Sequence, residues 1–271
     1  MKKLIALLLA LSTVFTMAFA LTSCKDTDDE PTVKTDLETV KANGKLVVGV
    51  TVYPPMDYID DETGDWAGFD AELAKKFAER IGVNCQIVII NWSTKVAELN
   101  SKQIDLVWNG MTASDELGQK IDFSSKYAKN AQVAVVKKGS TITAEDVKDA
   151  QVAVESGSAG QTVATETIGA TKLNKVTAQI DALNEVKSGQ SEVAIIDITM
   201  AESIVGKGEY DGLTVLEGAT YGEELFAVGL RKGSDIKAEL DAFLKQMYDD
   251  GTLAALAAKY NVSINAAAFE N

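Results

Sequence analysis

A polar turn follows the apolar run IDLVW, and its residue types could bind an anion. The turn opens NGMTASDELGQKIDFS and places Gly110, Thr112 and Ser114 ahead of an acidic pair. A strand that ends in such a turn before a helix offers hydroxyl groups and unpaired backbone N–H groups to a negatively charged ligand. The first cation after the turn is Lys120, so the same residues could instead serve only as a helix cap.

Composition excludes most other chemistry. The 271 residues carry 26 Lys+Arg against 40 Asp+Glu, a net charge of −14, which argues against nucleic acid as a partner. Histidine is absent, which removes His-based triads, His metal sites and the commonest general base. With only Cys24 and Cys85, a cysteine-built zinc site is excluded as well. We therefore expect no cofactor and no metal.

An acidic segment, DDETGDW from Asp60 to Trp66, was considered as a calcium site. Its spacing lacks the Asp-x-Asn/Asp-x-Asn/Asp-Gly pattern of a calcium loop. A solvated hairpin turn is the interpretation that the sequence favours.

The N-terminus has the features of an export signal. Lys2 and Lys3 precede an apolar run that ends in LTSC, and this run fits a secretory signal peptide over residues 1–23. LTSC resembles the lipobox of bacterial lipoproteins, in which the cysteine, here Cys24, receives lipid. An uncleaved membrane anchor is the alternative.

A polar stretch follows the export signal. The sequence KDTDDEPTV is poor in apolar residues and predicts a flexible tether over residues 24–36. If Cys24 carries lipid, Cys85 has no disulfide partner and is predicted to be an inert buried thiol in a strand.

The elements that must position the polar turn begin near Leu37. Short apolar runs of strand type alternate with amphipathic helical stretches; one helix places apolar residues every four positions and ends at Gly82. The predicted strands carry the sequences KLVVGVTV, CQIVII, IDLVW, AQVAVV, QVAVE and EVAIID. Alternating β and α units predict an α/β fold with largely parallel sheets and helices on both faces.

Two similarities within the chain predict two lobes. The segments KQIDLVWNGMT and GQSEVAIIDIT share a layout of Gln, acid, apolar strand and polar turn ending in Thr, which fits either a true repeat or convergent strand chemistry. The segments AQVAVVKKGST (Ala131–Thr141) and ELFAVGLRKGSD (Glu224–Asp235) both place a basic turn after a strand. We interpret these two strands as hinge crossings between lobes.

Four segments together resemble the solute-binding proteins of bacterial amino-acid ABC transporters, the polar amino acid binding group. They are GKLVVGVTVYPPMDYID, GFDAELAKKFAERIGV, GMTASDELGQKIDFS and AVGLRKGSDIKAELDAFLKQMYDDGTLAALAAKY. The resemblance spans roughly Leu37 to Tyr260. It implies a two-lobe periplasmic-binding-protein fold, with lobe 1 over residues 37–134 plus 226–271 and lobe 2 over 135–225, joined by two crossing hinge strands.

The resemblance also implies a ligand site, part of it in the first lobe. Tyr53 matches the aromatic residue that stacks on the ligand side chain; the alternative is a core tyrosine beside the Pro54-Pro55 turn. Trp92 matches a second aromatic wall. Asn109, Gly110 and Thr112 match the turn that holds the α-amino and α-carboxylate groups of the ligand.

In the second lobe, Gly157 and Ser158 match a carboxylate-binding turn before a helix, where N–H groups and the helix dipole favour an anion. Asp197 matches the acid that pairs with the α-ammonium group, a role that would account for a carboxylate at the end of a buried strand. Glu155 either adds negative charge to the site or points to solvent.

One departure from the family pattern concerns the ligand carboxylate. The family usually has Thr-x-x-Arg at this helix start, and the Arg grips the α-carboxylate with two hydrogen bonds; Leu117 occupies that place here. Arg80 and Arg231 fall in other segments. Three outcomes stay open: helix N-termini and hydroxyls hold the carboxylate, the ligand is a less anionic or cationic solute, or binding is weak.

The function that the resemblance implies is solute capture without catalysis. The protein would bind an amino acid or related small polar solute by clamshell closure and deliver it to a membrane permease, as a monomer anchored outside the cytoplasm by lipid on Cys24. A secreted dehydratase of small carboxylic acids on the same fold is the alternative, with Glu155 as its acid. A ligand-sensing lipoprotein is a further variant.

Overall fold

The computed structural model describes residues 34–270. In chain order the strands are β1 (Lys45–Val50), β2 (Tyr58–Ile59), β3 (Trp66–Ala67), β4 (Asn84–Ile89), β5 (Leu106–Val107), β6 (Asp122–Phe123), β7 (Ala128–Lys137), β8 (Gln151–Glu155), β9 (Lys172–Val176), β10 (Val193–Asp197), β11 (Leu213–Phe226) and β12 (Gly229–Leu230). The α-helices are α1 (Asp36–Asn43), α2 (Phe69–Ile81), α3 (Lys95–Asn100), α4 (Asp115–Gly118), α5 (Ala159–Thr162), α6 (Gln179–Ser188), α7 (Ile198–Ile204), α8 (Ile236–Asp249) and α9 (Thr252–Tyr260).

The strands form two five-stranded sheets, and a separate hairpin joins β2 to β3. The first sheet has the order β4-β1-β5-β12-β6, with β1 parallel to both β4 and β5. The second has the order β11-β7-β10-β8-β9, with β8 parallel to β9 and β10. Helices flank both sheets, so the predicted α/β fold with two sheets is confirmed. The sheets are mixed and not largely parallel as predicted, because β12 pairs antiparallel with β5 and β6, and β7 pairs antiparallel with β10 and β11.

Local sequence explains the helix boundaries. Thr35 caps α1 through a reciprocal pair of bonds: its hydroxyl accepts from the Glu38 N–H at 3.2 Å, and its own N–H donates to the Glu38 carboxylate at 3.0 Å. Helix α2 buries Phe69, Leu73 and Phe77 and ends at Gly82, whose φ of 78° is the left-handed conformation that glycine adopts readily.

A buried cation ties the first sheet to the N-terminal helix. The Arg231 guanidinium donates to the carbonyls of Leu99 and Ile104 at 3.0 and 2.8 Å, and it pairs with Asp36 at 2.8 Å and with Asp105 at 3.4 Å. These contacts occupy the fork of donors that makes arginine suited to buried ion pairs. Arg231 is therefore part of the scaffold.

The two predicted hinge strands lie side by side. β7 and β11 pair antiparallel from Ala128↔Phe226 to Lys137↔Leu213, with register shifts in β11 between these ends. The sequence predicts one strand from Glu224 onward, but the structure divides this segment between two strands. Its first residues, up to Phe226, form the end of β11 in the second sheet, and Gly229–Leu230 form β12 in the first sheet. The chain thus passes between the sheets at Ala227–Val228.

Some predictions concern residues at the edge of the described part. The signal peptide, 1–23, and the lipid site Cys24 lie outside residues 34–270. Thr35 and Asp36, the last residues of the predicted tether 24–36, belong to the cap and first turn of α1. Within the described residues, no helix has the length and apolarity needed to cross a bilayer.

Candidate functional site

The turn after β5 begins with Asn109, whose amide is fully engaged within the first sheet. Its Oδ1 accepts from the backbone N–H and the hydroxyl of Thr51, both at 2.9 Å. Its Nδ2 donates to the Thr51 carbonyl at 3.0 Å and to the Asp57 carboxyl at 2.7 Å. Two donated and two accepted bonds exhaust a primary amide. Asn109 therefore acts as a brace between the ends of β1 and β5.

The next residue of the turn, Gly110, is hydrogen-bonded to a buried carboxyl. Its N–H donates to Asp70 Oδ2 at 2.7 Å, and the Tyr127 hydroxyl donates to the same carboxyl. With φ of 55°, an added Cβ would lie 2.7 Å from Cε1 of Tyr53 and 3.2 Å from Cε2 of Phe226. Glycine thus allows the Tyr53 ring to pack directly on the turn. Burial raises the pKa of Asp70 to about 7.

Tyr53 faces the second sheet. The side chain is 1% exposed, and within residues 34–270 its hydroxyl has no hydrogen-bond partner. Burial first, and then the neighbouring charge of Asp197, raise the pKa of Tyr53 well above its ordinary value. The hydroxyl therefore lies beside Asp197 and Thr199.

Asp197, at the end of β10, is surrounded by amides. Oδ1 accepts from Asn130 Nδ2 at 2.6 Å and from Gln132 Nε2, and Oδ2 accepts from Gln179 Nε2 at 2.6 Å. Burial and the charge of Glu224 raise the pKa of Asp197 to about 7, because neutral donors only partly offset the loss of water. The carboxyl is thus held firmly without a cation.

Glu224, which the sequence analysis did not identify, completes this arrangement. Its Oε2 accepts from the Thr112 hydroxyl, Asn130 Nδ2 and Gln132 Nε2, each at 2.9 Å. Two amide nitrogens therefore bridge the carboxyls of Glu224 and Asp197. Thr112 belongs to the turn after β5, so this contact also joins the two sheets. The signal in the sequence was an acid at the start of the predicted hinge strand.

Glu155 ends β8 and is buried at 2% exposure, so it does not point to solvent. Its Oε1 accepts from the Thr51 hydroxyl at 3.2 Å, which is a second link between the sheets. Burial, reinforced by the charge of Asp197 and opposed by that of Lys95, raises the pKa of Glu155 to about 8.

Lys95 is a second residue that the sequence analysis missed. Its ammonium donates to the carbonyls of Trp92 at 3.1 Å and Gly157 at 2.9 Å, and it lies 4.6 Å from the centre of the Trp92 ring. Burial lowers the pKa of Lys95 to about 8. Gly157 packs so closely on Ser93 that an added Cβ would lie 2.9 Å from Ser93 Cα.

The predicted anion-binding turn of the second sheet is engaged internally. Gly157 N–H donates to Gln161 Oε1 at 3.0 Å, and the Ser158 hydroxyl accepts from Gln161 N–H at 3.1 Å as the cap of α5. The opposite turn shows the same use of a hydroxyl, because Ser114 accepts from Leu117 N–H at 3.3 Å. Both turns therefore act as helix caps.

Leu117 and Trp92 contribute an apolar wall. Trp92 is 6% exposed within a cluster of buried apolar side chains, and the half-buried Leu117 packs against that cluster. The nearest cation in the sequence, Lys120, pairs with Glu116 at 2.7 Å on the exposed face of α4.

Comparison with known proteins matches residues 46–263 to the bacterial extracellular solute-binding proteins, family 3. The chain belongs to this family. The L-cystine-binding protein TcyJ of Escherichia coli (strain K12) is 34% identical over 230 residues, which is 83% of this chain and 85% of that protein. The arginine-binding extracellular protein ArtP of Bacillus subtilis (strain 168) is 30% identical over 267 residues, 96% of this chain and 98% of that one.

A solved structure extends the comparison to the fold. An ABC uptake transporter substrate-binding protein from Streptococcus pneumoniae with bound histidine has a TM-score of 0.76 at 29% identity, covering 83% of this chain and 96% of that one. The chain thus has the two-lobe periplasmic-binding-protein fold that the family resemblance implied.

The structure separates the predicted site residues of this solute-binding protein into two groups. Four of them meet where the two sheets face each other: Tyr53, Thr112, Glu155 and Asp197. The other six hold the neighbouring turns, cap a helix or pack as apolar side chains beside that region: Trp92, Asn109, Gly110, Leu117, Gly157 and Ser158.

Proposed function

We propose that this chain is the solute-capturing component of an ABC transporter and binds an amino acid or a related small polar solute between its lobes. The observation that carries the proposal is the fully buried Tyr53 hydroxyl, which has no hydrogen-bond partner within residues 34–270 although it lies beside Asp197. Buried hydroxyls ordinarily have partners, and a small polar solute would supply one. The cystine- and arginine-binding relatives support this solute class.

Capture proceeds by closure. The links Thr51–Glu155 and Thr112–Glu224 each join a residue beside the first sheet to a strand of the second. A solute that contacts both sheets favours the closed arrangement, and the closed form then docks on a membrane permease. The paired strands β7 and β11 are the hinge of this movement.

The lobe limits and the anchor belong to the same proposal. Lobe 1 comprises 37–134 plus 226–271, and lobe 2 comprises 135–225. Residues 1–23 are a lipoprotein signal peptide, lipid on Cys24 holds the protein to the outer face of the cell membrane, and residues 24–34 form the tether. The protein works as a monomer and does not transform its solute.

A thermal-shift screen of the purified protein against amino acids and related amines tests the capture function. A solute that binds only the folded state stabilises it by mass action, by about 2.7 kcal/mol at a hundredfold excess over Kd. The melting temperature rises as a result. We expect at least one solute of this class to raise it. A flat response across the screen would contradict the proposal.

A second candidate function is catalysis by Glu155. Because its pKa of about 8 keeps the buried carboxyl protonated at neutral pH, it could donate a proton to a leaving group, as a dehydratase requires. Incubation of the protein with each solute that shifts its melting temperature separates the two functions. Unchanged solute is expected for capture, and formation of product would establish the enzyme.

A further inference from the structure

Lys95 is a buried cation without a carboxylate partner. Two cations are buried within residues 34–270, Lys95 at 5% exposure and Arg231 at 8%. Arg231 has the compensation that a buried charge ordinarily requires, since it pairs with Asp36 and Asp105. None of the ion pairs formed within the same residues includes Lys95. A buried ammonium group without an opposite charge is unfavourable, so folding alone does not account for Lys95.

The hydrogen bonds of Lys95 leave one of its three N–H groups for a further acceptor. Its ammonium group donates to the carbonyls of Trp92 and Gly157 at 3.1 and 2.9 Å, and it donates to no other atom of the described residues. Both acceptors are backbone groups without net charge. Burial lowers the pKa of Lys95 to about 8, as expected for an ammonium group that has lost water and gained only partial compensation.

Glu155 acts on Lys95 through its charge but does not form the missing ion pair. Its Oε1 accepts a hydrogen bond from the Thr51 hydroxyl at 3.2 Å. Burial raises the pKa of Glu155 to about 8, so most of this carboxyl is protonated at neutral pH. At that pH Lys95 therefore keeps a positive charge that Glu155 does not neutralise.

Lys95 lies where the two lobes meet. It is the first residue of α3, beside the first sheet, and the carbonyl of Gly157 that it contacts follows β8 of the second sheet. Besides Glu155 at the end of β8, the charges that act on Lys95 are those of Glu116 in α4 and Lys120 just after it. The ammonium group is therefore close to the second sheet and to α4 at once.

The start of α4 is the place where the family pattern has its carboxylate-binding arginine, at position 117. Leu117 occupies that position and packs against the apolar cluster that contains Trp92. The Lys95 ammonium lies 4.6 Å from the centre of the Trp92 ring. A cation at residue 95 and a side chain at residue 117 are therefore neighbours of the same apolar cluster, although they begin on different helices.

We propose that Lys95 is a specificity-determining residue that binds a carboxylate group of the solute, in place of the arginine that the family usually has at position 117. This inference rests on the proposed solute-capture function and deepens it, because it names the residue that selects for a carboxylate. The remaining N–H group of Lys95 donates to the solute in a charge-assisted hydrogen bond. The carboxylate supplies the opposite charge that the described residues do not.

Titration of Lys95→Met with matched compounds tests the inference. Methionine keeps an apolar stem and removes the charge. Calorimetry compares arginine, lysine, histidine, glutamine and cystine, each with the compound in which the α-carboxylate is replaced by a neutral amide. Glutamate compared with glutamine gives the same test for a side-chain carboxylate. We expect the wild type to prefer the acid in at least one pair, and Lys95→Met to reduce that preference at least about tenfold, or about 1.4 kcal/mol.

Two further variants complete this test. Lys95→Gln keeps a hydrogen-bond donor without the charge and should lose the preference as well. Lys148→Met is the control, because Lys148 is an exposed lysine that pairs with Asp149, and it should keep the wild-type preference. Melting temperatures identify the variants that are folded. An equal loss of affinity for acid and amide in the folded variants would show that Lys95 only holds the lobes together. That result, or an unchanged preference, would overturn the inference.

Relocation of the charge adds a second readout. Leu117→Arg in the Lys95→Met background returns a cation to the position that the family usually uses. We expect the double variant to regain the preference for the acid at least about tenfold over Lys95→Met. No recovery in the folded double variant would mean that the two positions do not serve the same carboxylate, against the proposed replacement.

The same titrations separate this inference from the capture function. If only compounds without a carboxylate bind, capture stands and the role of Lys95 fails. If nothing in the wider screen of amino acids and amines binds, the capture function fails, and the inference falls with it.

Discussion

Two regions of the molecule hold buried carboxyl groups and use them differently. Inside the first lobe, Asp70 accepts hydrogen bonds from the Gly110 N–H and the Tyr127 hydroxyl. At the interface between the sheets, Asp197 and Glu224 accept hydrogen bonds from side-chain amides of the second sheet. Glu224 also accepts a hydrogen bond from the Thr112 hydroxyl, which follows a strand of the first sheet.

The difference lies in what holds each group and not in burial alone. Burial raises the pKa of both Asp70 and Asp197 to about 7. Asp70 accepts hydrogen bonds from the Gly110 N–H and the Tyr127 hydroxyl, so this carboxyl braces the turn of Gly110. Asp197 faces the unpartnered Tyr53 hydroxyl across the two sheets. We therefore expect Asp70 to serve folding and Asp197 to serve solute binding.

Substitution of Asp197 should give the largest effect on binding. Asp197→Asn removes the charge that faces the solute and keeps the size of the side chain. We expect affinity for the solute that is identified in the screen to fall about hundredfold, or about 2.7 kcal/mol. Stability should fall by about 1–3 kcal/mol, because the new N–H₂ group faces an amide donor that loses its acceptor. Calorimetric titration and urea unfolding measure the two quantities. Asp211→Asn, at an exposed acid, is the control and should change neither.

Substitution of Asp70 should lower stability and leave solute binding nearly unchanged. Asp70→Asn places an N–H₂ group opposite one of the donors, the Gly110 N–H or the Tyr127 hydroxyl. A buried donor left without an acceptor costs about 1–3 kcal/mol, and we expect urea unfolding to show a loss of about 2 kcal/mol. Solute affinity should change by less than about threefold. A large loss of affinity at unchanged stability would show that the two carboxyls do not differ as described.

The division between these regions could be predicted only in part from the sequence. The elements were predictable because apolar periodicity and glycine caps are local signals: α2 with its cap at Gly82 is confirmed, and so is the hairpin around Asp60–Trp66. A role for Asp197 was also predictable, since a carboxyl that ends a buried strand needs a reason to be there. For Glu155 the sequence left both burial and exposure open, and the structure buries it.

What the sequence could not predict is the direction of individual side chains. An amide after a strand has the same signature whether it faces a solute or, as Asn109 does, folds back on the neighbouring strand. Glu224 lies beyond register shifts in β11, between Val215 and Thr220 and again between Tyr221 and Glu224. Each shift changes which face a residue occupies, so simple alternation along the strand fails to place Glu224 at the interface.

The smallest effect expected is the pH dependence of stability from Glu155. In the unfolded chain the pKa of the Glu155 carboxyl is 4.5. In the folded protein burial and the charge of Asp197, with a minor contribution from Asp181, raise this pKa to about 8, while the charge of Lys95 opposes the rise. The native state therefore binds more protons than the unfolded state between these values. Stability from this group is greatest at low pH and falls as pH rises through this window.

Urea unfolding of the solute-free protein at pH 6.0 and 7.0 measures this effect, and the upper limit stays below the pKa of Lys95, about 8, so that the lysine remains charged. We expect wild-type stability relative to Glu155→Gln to fall by about 1 kcal/mol across this range. Exposed Glu192→Gln is the matched control and should run parallel to the wild type. Parallel profiles for Glu155→Gln and wild type would mean that Glu155 ionises normally and that the interface is wetter than its burial indicates.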